Sequence, residues 1–490
     1  MAKIFRKKND LKIRPMINVG ALLDIPTGAI ITGAKGESII NGGLSNIEGF
    51  AGLGNTFKST LMHHMMYTAA DRLACSYNDM IMMETYDTED NMLLNVDRYN
   101  NLVNKHTQCL DRNPIETGQW SIVQKSQKTA DKWLEEDLYP LVEEKQNSKD
   151  LVVEFEAFKD KDTGKPLKAL IPTFIEIDSL TEFESETTID MLKELSEDKT
   201  NTLFMKQGLY KTKVMKDLPG LSNRANIYFL LTTHLGKKID MSGNPFAKPT
   251  KDLQFMKQDE KIKGATDKVM FLTTHYWKTY SPSVLINQST KQPEYPIYDS
   301  DVETDLNLIN LQQVRSKSGP SGFVLPIVVS QTEGVLPDLT EFHYIKTNKF
   351  GLDGSVRSYW LELYPDVKLS RTTVRKKLQE DYKLRRAVNI TAELLQLHTF
   401  RPHMTDLLCS PKELREDLEK MGYNWDILLN TRGWWTIKQY NPRIKPFLST
   451  VDLLKMRKGL YIPYWIDEKT KEVKKEYKHH FVEKENKDGK

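Results

Sequence analysis

The run GFAGLGNTFKSTLMHHM, residues 49–65, sets glycines at 49, 52 and 54 ahead of Lys58, Ser59 and Thr60, then becomes helical in character. A loop that wraps phosphate groups needs glycines so that successive backbone N–H groups can converge on the anion. It also needs a lysine for the β- and γ-phosphates and a hydroxyl for magnesium. Gly52, Lys58 and Ser59 stand at that spacing. Gly54, Asn55, Thr56 and Phe57 would form the turn, Thr60 would open the helix, and Ser59 would reach a Mg2+ ion. Phe57 stands where the general pattern has glycine, and a side chain there is costly if the backbone needs positive φ.

Outward from this loop, between about residues 43 and 345, short apolar runs alternate with polar or helical stretches. They are MIMME at 80–84, LIPTFIEID at 170–178, ANIYFLLTTH at 225–234, KVMFLTTH at 268–275 and LNLINLQQV at 306–314. Buried parallel strands read this way, so the expected fold class is α/β, with a mostly parallel sheet flanked by helices. Residues 1–42 form an N-terminal segment. From 346 to 490 the pattern changes to short helical segments, which predict a small, mainly helical C-terminal domain. Ser410-Pro411-Lys412-Glu413 has the form of a capping box with proline at N1 and Gly422 as the stop, and a second helix should end near Gly459. The mixed-charge tail at 469–490 is expected to fray.

Several residues could serve a bound phosphate. In ETYDTED, residues 84–90, Glu89 follows an apolar run and could polarise a water at a strand end. FIEID, residues 174–178, ends on Asp178, which could hold a magnesium-bound water opposite the loop hydroxyl. Thr232-Thr233-His234 puts polar side chains at a strand tip, where His234 could sense a terminal phosphate. QQVRSKSGPSG, residues 312–322, places Arg315 and Lys317 at period two before a tight turn, suited to a phosphate presented by a neighbouring subunit.

With these residues in order, the chain resembles the RecA superfamily and, within it, the phage UvsX-type recombinases. The resemblance rests on GLGNTFKST, YDTED, FIEIDSL, LLTTH and QQVRSKSGPSG, covering about residues 45–330, and these recombinases tolerate phenylalanine before the loop lysine. It implies a RecA-like core and a DNA-dependent ATPase that forms filaments on single-stranded DNA and pairs it with duplex DNA. Single-strand-binding and mediator proteins would be its partners. By the same resemblance Lys58 and Ser59 bind phosphate and magnesium, and Glu89 is the catalytic base. Asp178 is the second metal-side acid, His234 the γ-phosphate sensor, and Arg315 with Lys317 the pair reaching the adjacent subunit's nucleotide. The long segment between Glu89 and Asp178 departs from the pattern, and Tyr99 reads as an ordinary half-buried tyrosine.

The segment 235–265 is broken by glycine and proline and rich in lysine, with Phe246 and Phe255 interleaved. Lys237, Lys238, Lys248 and Lys251 are its candidate contacts to DNA phosphates. Segment 183–205 is a weaker candidate for a first DNA loop, and 370–386, with Arg371, Arg375 and Lys376, reads as a solvated helix face. The net charge of +3 gives no global positive field. With 39% hydrophobic and 28% charged residues, the composition excludes wholesale disorder and a membrane protein. The three cysteines, widely spaced, suggest neither a disulfide framework nor a zinc knuckle, and point to the cytoplasm. Two rival readings share the core, a DnaB-type ring helicase and a RecA-fold regulatory protein that uses ATP as a structural ligand.

Overall fold

The computed structural model describes residues 14–160, 163–193, 200–238, 251, 253–263, 268–298, 301–355 and 357–481. Its centre is an 11-stranded sheet. Nine of the strands form a continuous path: β1 (Ile47–Gly52), β2 (Met82–Asp87), β3 (Trp120–Gln124), β4 (Thr173–Asp178), β5 (Ile227–Lys237), β6 (His275–Thr279), β7 (Leu306–Ser316), β8 (Val324–Ser330) and β9 (Gly334–Val335). Their spatial order is β9-β8-β7-β6-β1-β5-β4-β2-β3. From β6 to β3 every neighbouring pair is parallel. The strands β7, β8 and β9 extend the edge antiparallel.

Helices cover both faces, which explains why the strands read as apolar runs and not as alternating ones. Along β5, Tyr228 and Leu230 belong to one core while Phe229 and Leu231 belong to the other. Along β4, Phe174 faces the first core and Ile175 and Ile177 the second. Period-two alternation thus divides one apolar run between two packed layers. Helix α1 (Lys58–Tyr77), buried almost all round, fills the first layer, with α2 (Val96–His106) beyond it. The second layer receives α3 (Thr200–Ala225), through Val214, Met215, Leu218 and Leu221.

The run at 268–275 differs from its sequence reading. Lys268–Leu272 is a short helix, and the strand begins only at His275. Four apolar residues in a row satisfy either period, and KVMFL is poor in the β-branched residues that would favour a strand. The run at 306–314 is a strand but antiparallel, because the turn at 317–323 brings the chain directly back as β8.

Beyond residue 345 come a three-stranded antiparallel sheet spanning 352–369, then α4 (Tyr382–Phe400), α5 (Pro411–Lys420) and α6 (Thr450–Arg457). The capping box at Ser410 and Glu413 is present, and Gly422 and Gly459 take positive φ just past their helices, as expected. Lys475–His480 forms a turn of 3-10 helix where fraying was expected, because Tyr477 is buried against the core. The first apolar core is continuous from Ile17 to Tyr477. Polar contacts follow it: Gln396 donates to the Leu22 carbonyl at 2.8 Å, and Trp435 Nε1 to Met16 O at 2.9 Å.

Cys75 and Cys109 are joined in a disulfide, against the sequence expectation. Their 34-residue separation carries no local signal; folding of α1 against the segment after α2 brings their Cα atoms to 5.0 Å. Cys409 is free and buried. Among the described residues no helix is long and apolar enough to cross a membrane.

Candidate functional site

The C-terminal ends of β1, β2, β4 and β5 meet at one edge of the sheet, where open parallel sheets present their ligand-binding crevice. The chain leaves β1 at Gly52, turns through residues 53–57 and enters α1 at Lys58. Phe57 has φ 59° and ψ 25°, so the residue that replaces glycine does hold a left-handed conformation. Its ring packs against the apolar core, and its carbonyl accepts from Leu61 N at 3.0 Å. Asn55 is also left-handed, at φ 57°. At Gly52 a Cβ would lie 2.1 Å from Thr279 Oγ1 and 2.4 Å from Thr56 Oγ1, so only glycine permits this closure. The Thr56 and Thr279 hydroxyls share a hydrogen bond of 2.7 Å that ties the loop to β6.

Lys58 is buried, and its ammonium donates to Leu53 O at 2.7 Å. Burial pulls its pKa below the usual lysine value, while the charges of Asp178 and Glu89 oppose the shift. The lysine therefore feels the charge of both carboxylates that the sequence singles out. Asp178 ends β4, and one of its oxygens accepts from the Thr232 hydroxyl of β5. Thr88 joins the strand tips. Its amide donates to Asp178 O at 2.8 Å, and its hydroxyl accepts from Ser179 N at 2.6 Å.

Glu89 projects from the turn after β2. Buried Asp87 shapes that turn by accepting from the backbone amides of Glu89, Asn91 and Met92 at 2.8–3.0 Å. Glu89 is 45% exposed and its Oε1 lies 3.8 Å from Nε2 of His234, which is 30% exposed. Register explains the proximity, since His234 stands opposite Gly52 at the mouth of the loop. Gly52, Lys58, Glu89, Asp178 and His234, scattered over 183 positions, thus gather at one edge. Ser59 and Thr60 lie in the first turn of α1, both half-buried. Gly54 sits in open space at the loop tip.

Beneath this edge lies a buried histidine–glutamate pair that sequence reasoning missed. His63 Nδ1, on α1, shares a 2.8 Å hydrogen bond with Glu176 Oε2, on β4, and the same oxygen accepts from Thr85 Oγ1 at 2.8 Å. Both partners are buried; burial lowers the imidazole pKa, but Glu176 lifts it above the ordinary histidine value. A glutamate inside the apolar run FIEID, two residues before Asp178, was the available signal. Tyr99 packs half-buried against His63 and Trp120, with ring centroids 5.4 and 6.0 Å away.

Arg315 and Lys317 are not part of this gathering. Ser316 pairs with His275, which in turn pairs with Glu48, so the basic pair lies at the opposite end of β1 from the loop. Arg315 reaches Phe271 O at 3.4 Å and Lys317 reaches Leu272 O at 3.3 Å. Neither forms an ion pair among the described residues.

In the lysine-rich segment, Phe246 and Lys248 lie outside the described residues, as do 194–199 of the first candidate loop. Lys237 is exposed at the end of β5, where Glu260–Ile262 pairs back antiparallel and Lys238 N donates to Asp259 O at 2.6 Å. Lys251 is exposed and touches Gln254 O at 3.4 Å. Phe255 packs against Gly322, half-buried. Within 370–386, Arg375 is buried, contrary to the solvated reading, because Glu333 and Asp305 face it at 3.1 and 3.7 Å. Arg371 donates to Pro293 O, and Lys376 is exposed near Glu380.

Among the described residues no group of three or more histidine, cysteine or acidic side chains gathers as a metal site. Ser59 and Asp178 offer a hydroxyl and a carboxylate, the hard oxygens that magnesium takes when substrate phosphates complete its shell. Compared with known proteins, the chain matches no family model and no curated sequence.

Proposed function

We propose that this protein binds and hydrolyses ATP at the edge formed by β1, β2, β4 and β5, and uses the cycle as a DNA recombinase assembled head to tail on single-stranded DNA. One observation carries the ATPase reading: Lys58 is buried within the influence of the Asp178 and Glu89 charges, at the start of a helix whose entry loop only glycine can close at position 52. Backbone amides of residues 54–59 would face the phosphates, and Lys58 would exchange the Leu53 carbonyl for a phosphate oxygen. Ser59 and Asp178 would hold Mg2+, which would neutralise charge on the transferring group. Glu89 is exposed enough to meet a water and would orient it. On β5, His234 stands opposite Gly52 and 3.8 Å from Glu89, beside both the loop and the water-orienting carboxylate, as a sensor of the terminal phosphate should.

Assembly is supported by the basic pair. Glu48 and Gly52 are four residues apart on β1, so Arg315 and Lys317 stand about 13 Å along the strand from their own loop. Two partly exposed cations without carboxylate partners suit a phosphate carried by the next subunit, which makes the contact heterologous. DNA recognition rests on the family resemblance, on Lys237 and Lys238 at the end of β5, and on exposed Lys251. Electron microscopy with single-stranded DNA and a non-hydrolysable ATP analogue tests the reading. Helical filaments are expected; closed rings would favour a helicase and isolated particles a regulatory role.

A further inference from the structure

Fourteen residues beyond Lys58, about 21 Å along α1, Arg72 lines a cavity of about 920 Å3. The cavity separates the far end of α1 from α4 and the segment 432–445, and its volume is that of a small-molecule site. Seven lysines and arginines line it against two carboxylates, Asp71 and Asp338. Asp71 is already engaged, accepting from the backbone amides of Gln108, Cys109 and Leu110.

Some of these cations are satisfied within the fold. Arg375 and Lys105 pair with Glu333, and the Arg432 guanidinium donates to the carbonyls of Trp434, Gln439 and Lys445. Others are not. Among the described residues the guanidiniums of Arg72 and Arg443 make no hydrogen bond and no ion pair. Arg72 rests on the Trp434 ring at 5.3 Å; Asp24, Asp71, Glu341 and Glu393 influence its charge, and none of them forms an ion pair with it. Among the described residues Lys445 donates only to Asn430 Oδ1, and it lies 3.2 Å over the Tyr382 ring. His64 also borders the cavity but is buried, its Nδ1 3.1 Å from the Tyr67 hydroxyl. Clustered cations with donors to spare are costly unless an anion shares them.

We propose that this cavity binds a phosphate-bearing small molecule, held by Arg72, Arg443 and Lys445. The aromatic rings nearest these cations, Trp434 and Tyr382, are already covered by them, so recognition is of the phosphates and not of a stacked base. Inorganic tripolyphosphate and a nucleoside triphosphate share this chemistry. The site lies apart from the loop at 52–60, and the proposal stands whether or not that loop binds ATP.

Lys445 is a local reporter, because burial with Arg385 and Lys383 nearby pulls its pKa down to about 8. The full-length chain is labelled with an amine-selective reagent, and modification of Lys445 is followed by mass spectrometry with exposed Lys291 as the internal control. Tripolyphosphate should slow labelling of Lys445 and leave Lys291 unchanged. Arg443→Gln, at an exposed position that leaves the core intact, should raise the concentration needed for protection about tenfold, and Arg72→Gln should do at least as much. ATP protecting more strongly than tripolyphosphate would identify a nucleotide as the ligand, and equal protection would identify polyphosphate in general. Absent protection by millimolar tripolyphosphate overturns the proposal. So does protection unaffected by Arg443→Gln, equal protection by adenosine, or protection by an oligonucleotide alone.

Discussion

The distance between the basic pair and its own loop yields a complementation test. Arg315→Ala with Lys317→Ala should nearly silence ATP turnover, because a cation supplied to the transferring phosphate is worth roughly 10³ to 10⁵ in rate. Glu89→Gln should be equally inactive through loss of the group that orients water. The pair stands about 13 Å along the strand direction from its own loop, so the phosphate it meets would be the one carried by a neighbour. Each active contact would draw Glu89 from one subunit and the basic pair from the next. When the two inactive variants are mixed in equal amounts and assemble at random, about a quarter of contacts join an intact Glu89 to an intact pair. Turnover should then recover toward a quarter of the wild-type rate, measured as phosphate release with single-stranded DNA at high protein concentration. Recovery should vanish on dilution. Mixed assemblies seen by electron microscopy without any recovery would refute the shared site and leave the pair a role within its own subunit.

Three further outcomes are expected. Lys58→Ala should lose both nucleotide binding and turnover, whereas Glu89→Gln should keep binding, measured by fluorescent-nucleotide titration, and lose turnover; normal hydrolysis by the glutamine variant would remove Glu89 as the base. Phe57→Gly should be more stable than Phe57→Ala by about 1 kcal/mol in urea unfolding, because both lose the ring but only alanine keeps the left-handed penalty. An alanine variant as stable as the glycine one would show that the loop can abandon this conformation. Closing a 34-residue loop restricts the unfolded chain by about 4 kcal/mol, so Cys75→Ser should lower the thermal midpoint of the oxidised protein. Reductant should lower the wild type to the same value, and a wild-type midpoint indifferent to reductant would mean that the cysteines do not pair in solution.

The α/β class was legible because buried parallel strands and glycine-rich turns are local patterns. The runs ending in Asp178 and His234 show themselves by composition, and the Ser410 capping box by spacing. Even the strain at Phe57 could be anticipated, since glycine's conformational freedom is a property of one residue. Where the local signal is short it misleads: KVMFL packs as a helix because five residues satisfy either period, and burial decides between them.

Tertiary structure decided everything that depends on register and on packing between distant segments. The sequence marks Glu89 and His234 separately, but only the order of β5, β4 and β2 brings them to 3.8 Å. The same register sends Arg315 and Lys317 to the far end of the sheet, which no spacing reveals. Cys75 and Cys109 pair because α1 packs beside the segment after α2. Arg375 is buried because its acidic partners come from residues 305 and 333. The cationic cavity gathers Arg72 with residues more than 300 positions away. Local sequence sets backbone preference and which faces are apolar; long-range pairing sets which charges meet, because Coulomb and hydrogen-bond energies depend on distances that exist only after the chain has folded.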